Sequence, residues 1–179
     1  MEGPFLNVDR KGTHDPKAIR KLDDEGFAAI TGLRRGRTLV TLAPEVTDEK
    51  RIGQLRQCGV VVSAGHTDAT FAQMERAFAA GVTGVTHLFN AMSQITPREP
   101  GVVGAALADP QCWCGIIVDG FHVDPVALRL AIKAKAARSL PSGVGRDAAG
   151  RARPEGVRTQ RRNHIRVRRR LPAGRRYAR

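Results

Sequence analysis

The chain has 179 residues, 41% of them hydrophobic, which is enough for one domain with a buried core and too little for two large domains. Its formal net charge of +13 at pH 7 is unevenly distributed. Residues 138–179 contain 14 arginines, no lysine and two acids, a net charge of +12, whereas residues 1–137 carry +1. Almost all of the positive charge therefore belongs to an Arg-rich tail that follows a near-neutral segment. This distribution excludes a chain that is basic over its whole surface.

The sequence shows neither a membrane segment nor a disulfide framework. It has no run of 18 apolar residues, and residues 1–4 do not resemble the basic start of a signal peptide, so we expect a cytoplasmic protein. The cysteines, Cys58, Cys112 and Cys114, lie in apolar runs and are expected to be reduced structural thiols. Trp113 stands between two of them, and we expect it in the core rather than in a sugar-binding platform.

Between residues 16 and 136, stretches of helical periodicity alternate with short β-branched runs, which predicts βα units and a parallel sheet. The predicted elements are helix 16–31, strand 38–42, helix 47–57, strand 60–63, helix 69–79, strand 84–87, strand 115–119 and helix 125–136. Capping residues precede or open the helices, namely Asp15, Thr47, Asp68 and Asp124. The strands are apolar almost throughout, which is typical of a sheet covered on both faces.

Polar residues follow each predicted strand: Glu45, His66, His87 and the pair Asp119 and His122. The C-terminal ends of parallel strands meet at one rim, where both (β/α) barrels and doubly wound sheets bind their ligands. We therefore expect these side chains to converge on one site.

Glu2, His66 and His87 form a candidate metal-binding set. Two neutral imidazoles and a carboxylate suit a borderline divalent cation and leave a position open for water. A lone histidine is more often a hydrogen-bonded loop residue, but two histidines here end successive strands, and His14 and His122 lie in further polar loops. Zn²⁺ is the expected ion, although the same ligands accept Fe²⁺, Mn²⁺ or Co²⁺.

Arg98 is a candidate phosphate ligand. It lies beside a glycine turn beyond the loop that carries Asn90, and a guanidinium group binds phosphate through two hydrogen bonds. The alternative for Arg98 is a surface ion pair with Glu99.

Five motifs stand in order along residues 1–139: EGPFLN at 2–7 with KGTH at 11–14, AGHT at 64–67, THLFNAM at 86–92, REPG at 98–101 and DGFHV at 119–123. Together they resemble the motifs of the N-acetylglucosamine-6-phosphate deacetylases, a family of the amidohydrolase superfamily. The resemblance implies a metal-dependent (β/α)₈ barrel that hydrolyses N-acetylglucosamine 6-phosphate to glucosamine 6-phosphate and acetate. It also implies a homodimer.

The same resemblance implies roles for individual residues. It gives metal binding to Glu2, His66 and His87, and polarisation of the acetyl carbonyl to His14. It gives substrate contacts to five further residues: Thr13, Asn90, Ala91, Arg98 and His122. Among these, Arg98 would bind the phosphate, either within its own subunit or across the dimer interface.

The sequence departs from the family's pattern at both ends. The family's general base is an aspartate in a Val-Thr/Ser-Asp-Ala-Met motif after the helix at 125–136. It is absent here, and Asp147 has no apolar strand before it. Read one nucleotide later, the codons for Leu140–Ala148 permit Phe-Leu-Leu-Val-Ser-Asp-Ala-Met-Pro, which suggests a frameshift near residue 139. Met1 stands immediately before the EGPFLN motif, so we also expect the early barrel strands and the small β domain of the family to be absent from this chain.

We therefore expect a partial barrel over residues 1–139 and a disordered Arg-rich tail over residues 140–179. Loss of the general base should cost about 10²–10⁴ in rate. Two other functions stay open: a catalytically inactive module that binds metal or sugar phosphate, and nonspecific nucleic-acid binding through the tail. Bound metal without acetate release would favour the module.

Overall fold

The computed structural model of this protein describes residues 1–33, 35–137 and 165–168. The position of the frameshift motif, Asp147 and most of the Arg-rich tail lie outside the described residues. Within the described ranges, no helix is both long and apolar enough to cross a bilayer.

The described chain alternates helices and strands around one parallel sheet. The elements are α1 (Asp24–Thr31), β1 (Leu39–Leu42), α2 (Glu49–Gln57), β2 (Val61–Ala64), α3 (Phe71–Ala80), β3 (Val82–Val85), α4 (Gly101–Ala108), β4 (Trp113–Ile117), α5 (Pro125–Ala137) and β5 (Ile165–Arg168). The strands pair in sequential order, β1-β2-β3-β4-β5, and every pairing is parallel. This order is typical of consecutive barrel strands, because a doubly wound sheet reverses its order at a switch point.

Residues 1–3 extend the sheet beyond β1. The N–H of Thr41 donates to the carbonyl oxygen of Met1 at 2.9 Å, and the N–H of Gly3 donates to the carbonyl oxygen of Thr41 at 3.2 Å. These bonds place Glu2 in parallel register with Thr41, on the side of β1 opposite β2. Glu2 therefore lies near the C-terminal end of β1, at the same rim as the residues that follow the other strands.

The core lies between the sheet and the helices that cover it. Its largest fully buried side chains come from strands, helices and the loops between them: Phe5, Ile30, Val40, Leu42, Ile52, Leu55, Val62, Met74, Val85, Leu88, Met92 and Val102. Full burial of one such side chain stabilises the fold by about 1.5–3 kcal/mol. The predicted parallel sheet with buried strands is confirmed, although the strand boundaries shift by up to two residues at most ends.

The predicted helix 16–31 is wrong in its first half. Asp15 caps only a short 3-10 turn over Pro16–Ala18, and Ile19 is extended, with φ −71° and ψ 127°. A separate helix, α1, then begins after Asp23, whose carboxylate accepts the N–H of Gly26 at 2.8 Å. A second N-cap inside the predicted span therefore divides it into two elements.

Two other helices begin two residues later than predicted, because different side chains cap them. Asp48 rather than Thr47 caps α2. Thr70 rather than Asp68 precedes α3, and Thr70 and Gln73 form a reciprocal capping box.

The sequence does not predict α4, because all eight of its residues are apolar or glycine and show no helical period. Its first residue, Gly101, has a φ of +59°, and a Cβ there would lie 2.8 Å from the Oγ of Ser93. Glycine is required at this position because the backbone is left-handed and closely packed.

Four residues of the tail, Ile165–Arg168, form β5 beside β4, although the composition of the tail predicts disorder. Ile and Val alternate with Arg in this segment, a period-2 pattern that suits a strand. The expectation of disorder is therefore wrong for these four residues.

Trp113 lies at the start of β4, at the end of the sheet opposite the ligand rim. Its ring packs on Gly84 of β3, where a Cβ atom would collide with the indole, and its N–H donates to the hydroxyl of Thr83 at 3.2 Å. The prediction that Trp113 lies in the core is therefore met only in part, because its side chain packs on the sheet but is only half-buried.

No disulfide bond joins the three cysteines in the structure, and their reduced state stays a prediction. Cys112 precedes β4 and Cys114 is its second residue, and both are buried, whereas Cys58 is exposed. The expectation of a structural thiol is wrong for Cys58, because it is the exposed C-cap residue of α2.

Candidate metal centre

Three side chains from separate parts of the sheet converge at its C-terminal rim. The Oε1 atom of Glu2 lies 2.8 Å from the Nε2 atom of His66 and 3.1 Å from the Nε2 atom of His87. The two Nε2 atoms are 3.0 Å apart. His66 follows β2 and His87 follows β3, so the predicted convergence of these three residues is observed.

The backbone of Arg10 sets the orientation of the His66 ring. The Nδ1 atom of His66 lies 2.8 Å from the carbonyl oxygen of Arg10. A carbonyl oxygen only accepts, so Nδ1 carries the proton, and Nε2 of the neutral ring directs a lone pair at the Glu2 oxygen. Two electron-rich atoms at 2.8 Å need a proton or a cation between them. The donor set therefore fits a divalent metal ion.

The backbone is left-handed at both histidines, with φ +49° at His66 and +42° at His87. Such a conformation costs a residue other than glycine about 1–3 kcal/mol and is common at functional sites. Gly12 makes room beside His66, because a Cβ there would lie 3.1 Å from the Cε1 atom of the ring. Both imidazoles therefore stand on strained backbone, and the ring of His66 is also closely packed against Gly12.

The protonation equilibria of the cluster reflect its close contacts. Hydrogen bonds from His66 and His87 hold the pKa of Glu2 well below its usual range, although partial burial opposes this. Burial pushes the pKa of His66 down, but the hydrogen bond to Glu2, the bond to the Arg10 carbonyl and the Glu2 charge outweigh it, so this pKa is raised. Without a metal, the Glu2 carboxylate and a protonated His66 stabilise each other.

His14 lies beside the cluster, as predicted. Its Nε2 atom is 4.0 Å from the Oε1 atom of Glu2, and its ring meets that of His66 edge-on with centroids 4.6 Å apart. The imidazole of His14 is about one-third exposed, so it can face a bound molecule.

Three of the predicted substrate-binding residues lie in the loops that carry these histidines. Thr13 is exposed and precedes His14. Asn90 and Ala91 follow His87, and Ala91 has a left-handed backbone with φ +49°. The carbonyl oxygen of Ala91 accepts the N–H of Thr67 at 3.1 Å, which joins this loop to the loop after β2. Their contact with substrate stays a prediction.

Arg98 is exposed, and within the described part of the chain no ion pair engages it. The alternative of a pair with Glu99 is not observed. The Oε1 atom of Glu99 instead accepts the N–H of Phe71 at 2.7 Å and that of Gly101 at 2.9 Å. The guanidinium group is therefore left for another ligand.

His122 stands in the loop after β4, with its side chain about half exposed. Its Nδ1 atom lies 2.6 Å from the Oδ2 atom of Asp119, which leaves Nε2 free to face solvent or a ligand. The backbone N–H groups of His122 and Phe121 lower the pKa of Asp119 to about 2. Asp119 therefore stays ionised and holds the imidazole in place.

The four residues of β5 are Ile, Arg, Val and Arg, none of which is a carboxylate. The residues that follow β5 lie outside the described ranges. The structure places the carboxylate of Glu45 and the carbonyl of Arg10 around His66 and its loop. The position of Glu45 after a predicted strand already indicated that it lies at the rim, but no sequence signal indicated its contacts or those of the Arg10 carbonyl.

Comparisons with known proteins agree with this arrangement. The chain is 40% identical over 140 residues to an N-acetylgalactosamine-6-phosphate deacetylase of Shewanella sp. (strain ANA-3), covering 78% of this chain and 36% of the relative. Its fold matches the crystal structure of N-acetylglucosamine-6-phosphate deacetylase from Pasteurella multocida with a TM-score of 0.71 and 40% identity, covering 75% of this chain and 35% of the other. Over about three quarters of its residues, the chain is similar to N-acetylglucosamine-6-phosphate deacetylases and is consistent with a fragment of that family.

A second similar deacetylase structure was solved with a bound ligand. It is an Asp-to-Ala mutant of N-acetyl-D-glucosamine-6-phosphate deacetylase from Mycobacterium smegmatis in complex with N-acetyl-D-glucosamine 6-phosphate. Its TM-score is 0.68 at 39% identity, covering 75% of this chain and 36% of the other. No family profile matches the chain. The chain spans about a third of the length of these deacetylases.

Proposed function

We propose that this chain provides the metal-binding side and part of the substrate-binding side of a deacetylase. The reaction is hydrolysis of the N-acetyl group of N-acetylglucosamine 6-phosphate, in which water adds to the amide carbon, the C–N bond breaks, and acetate and glucosamine 6-phosphate leave. The observation that carries the proposal is the contact of Glu2, His66 and His87 within hydrogen-bonding distance at the rim of a parallel sheet. The names of the relatives support the choice of substrate.

Glu2, His66 and His87 would hold a divalent cation, with Zn²⁺ the expected ion. When bound, such a cation supplies Lewis acidity for the hydrolysis of an amide. His14, beside the cluster, would donate a hydrogen bond to the acetyl carbonyl oxygen. A donor at this oxygen stabilises the negative charge that develops as water adds.

The remaining polar groups would bind the sugar phosphate. Arg98 is exposed and free of an ion pair in the described chain, so it would bind the phosphate, within its subunit or across a homodimer interface. The Nε2 atom of His122, with its ring held by Asp119, would contact a hydroxyl or carbonyl of the substrate. Thr13, Asn90 and Ala91 would complete the contacts from the loops beside the histidines.

The chain would catalyse this reaction slowly, because its sequence lacks the Val-Thr/Ser-Asp-Ala-Met motif that carries the general base in the family it resembles. Loss of a general base costs about 10²–10⁴ in rate. The inactive binding module is therefore a second candidate, favoured by the same observation. Nucleic-acid binding by the tail rests on residues outside the described ranges.

Metal content and acetate release distinguish these candidates. We expect the 179-residue chain to bind one Zn²⁺ per molecule, and His87→Asn to abolish this stoichiometry. His122→Asn is the matched control for metal binding, because His122 lies outside the cluster. Full metal content in His87→Asn would overturn the site, and stoichiometric metal without acetate release would favour the binding module. The assay includes the N-acetylgalactosamine epimer, since one relative is named for it.

A further inference from the structure

The carboxylate of Glu45 joins three segments at the rim of the sheet. Glu45 follows β1 in the 3-10 turn Pro44–Val46. Its Oε1 atom accepts the side-chain N–H of Asn7 at 2.9 Å and the backbone N–H of Asp68 at 2.6 Å. Its Oε2 atom accepts the hydroxyl of Thr67 in a short hydrogen bond. One side chain thus holds both the segment after Glu2 and the loop after β2.

These two segments are the ones that determine the position of the His66 imidazole. The N–H of Asn7 donates to the carbonyl oxygen of His66 at 2.9 Å, and the carbonyl oxygen of Arg10 accepts from Nδ1 of the ring at 2.8 Å. The guanidinium of Arg10 pairs with Asp68 at 2.7 Å on the exposed side. Residues 7–10 and 66–68 are therefore joined at two further points, by Glu45 and by the Arg10–Asp68 pair.

His66 needs this support because its own backbone conformation is unfavourable. Its φ of +49° lies in the left-handed region, which residues other than glycine adopt only when their surroundings hold them there. Thr67 follows directly, and its hydroxyl both donates to Glu45 and accepts the N–H of Ala69 at 3.1 Å. The hydrogen bonds of Glu45 thus act on the residue next to the strained position.

Glu45 is not itself arranged to bind the metal. Both of its oxygens are occupied by the three donors from Asn7, Thr67 and Asp68. Within the described residues, the ligand cluster consists of Glu2, His66 and His87. Glu45 is therefore linked to the cluster by contact through the two segments that it joins.

We propose that Glu45 is a positioning residue that holds the His66 imidazole, through Thr67 and Asn7, in the orientation that directs Nε2 at the metal site. This inference rests on the proposed function, in that it takes the cluster to bind a divalent metal. Partners behind a metal-ligating histidine typically change metal affinity by about 10–100-fold when they are removed.

Glu45→Gln tests the proposal, because it keeps the size of the side chain and removes the acceptor for Thr67 or for Asn7 and Asp68. We expect the Zn²⁺ dissociation constant of the full chain to rise about 10-fold, measured by competition with a chromophoric chelator. In the metal-free chain, we expect the ¹⁵N signals of the His66 imidazole to move from one Nδ1–H tautomer toward a mixture. Glu49→Gln is the matched control, because Glu49 pairs with Arg76 at the surface and contacts neither segment.

A second variant separates a positioning effect from general destabilisation. Thr67→Val breaks the bond to Glu45 Oε2 and that from the N–H of Ala69, and it leaves the bonds of Glu45 to Asn7 and Asp68. We expect the effects of Glu45→Gln and Thr67→Val on Zn²⁺ affinity to be less than additive, because the hydrogen bond between Glu45 and Thr67 is common to both. If Glu45→Gln does not fold, Thr67→Val alone decides, and an unchanged tautomer and affinity in it would overturn the proposal.

The two readouts also separate this inference from the proposed function. If the unmodified chain binds no Zn²⁺, the metal site fails, and the His66 tautomer in metal-free Glu45→Gln still tests the role of Glu45. If the unmodified chain binds Zn²⁺ and Glu45→Gln keeps both the affinity and the tautomer, the metal site stands and the positioning role is wrong.

Discussion

The Nδ1 atom of His66 lies 2.8 Å from the carbonyl oxygen of Arg10, a residue 56 positions earlier in the chain. The bond selects the tautomer in which Nε2 faces Glu2 and His87. A carbonyl oxygen, unlike a carboxylate, does not change its charge with pH, so the selection of this tautomer persists wherever the ring is neutral. The state of the metal centre then depends on the proton at Nε2.

The first prediction concerns pH and Zn²⁺. The pKa of His66 is raised above its ordinary value of 6.5 in the metal-free fold, so a proton competes with the metal at pH values above 6.5. We expect Zn²⁺ affinity to be lost as the pH falls through this raised pKa. Chelator competition between about pH 5 and 8 measures the effect, and a dissociation constant independent of pH would contradict it.

The raised pKa of His66 has the opposite effect on the stability of the metal-free fold, which is greater at low pH. The contact between protonated His66 and Glu2 stabilises the fold fully below pH 6.5 and is lost as the pH rises through the raised pKa. We therefore expect added Zn²⁺ to raise the melting temperature more at about pH 8 than at about pH 6. Equal shifts at both values would show that His66 does not exchange its proton for the metal.

The second prediction concerns Glu99, which holds the first residues of α3 and α4. Its carboxylate accepts the N–H groups of Phe71 and Gly101, and these two bonds lower its pKa from 4.5. We expect Glu99→Gln to lower the melting temperature at pH 7. Because the folded pKa is depressed, the carboxylate stabilises the fold above pH 4.5 and this contribution is lost as the pH falls through the lowered value.

The melting temperatures of Glu99→Gln and the unmodified chain should therefore converge in acid. Glu75→Gln is the control, since Glu75 is an exposed residue of α3 with the same charge. A difference that is constant from neutral to acid pH would mean that the ionised carboxylate is not the source of the stabilisation.

The third prediction concerns Lys135 of α5, which is only 5% exposed. Its ammonium group donates to the carbonyl oxygens of Ala106 at 3.1 Å and Asp109 at 2.7 Å, and also to that of Cys112. These oxygens lie in the last turn of α4 and in the loop before β4. We expect Lys135→Met to reduce the free energy of unfolding by about 2 kcal/mol or more, because buried carbonyls lose their donor.

Urea denaturation of Lys135→Met and Lys133→Met measures this effect. Lys133 is exposed on the same helix, so its replacement should change the free energy of unfolding by less than about 0.5 kcal/mol. Equal stability of the two variants would show that the ammonium group does not stabilise the end of α4.

The fourth prediction concerns the nucleotides that encode residues 130–179. We expect the frame one nucleotide later to continue from residue 139 as Leu-Val-Ser-Asp-Ala-Met into a further βα pattern. Independent clones should be sequenced across this region. Early stop codons in the shifted frame would exclude a frameshift and leave the Arg-rich tail as a genuine product.

The sequence predicted the metal-ligand cluster because His66 and His87 directly follow strands whose apolar runs are easily recognised. It did not predict α4, since Gly101–Ala108 has no polar face to reveal its period. The role of Glu45 was also out of reach, because its partners Asn7 and Thr67 lie 38 and 22 residues away. Such contacts depend on how loops meet after the sheet has formed, which local patterns do not encode.

The packing of Trp113 on Gly84 has a spectroscopic consequence. Trp113 is the chain's only tryptophan, so its fluorescence reports on one place, the contact between β3 and β4 near their N-terminal ends. Glu2 lies beyond β1, at the other end of the strands and at the far edge of the sheet. Emission from Trp113 therefore follows the docking of the inner strands, while events at the edge that carries Glu2 leave no optical signal of their own and need an added chromophore or an isotope label.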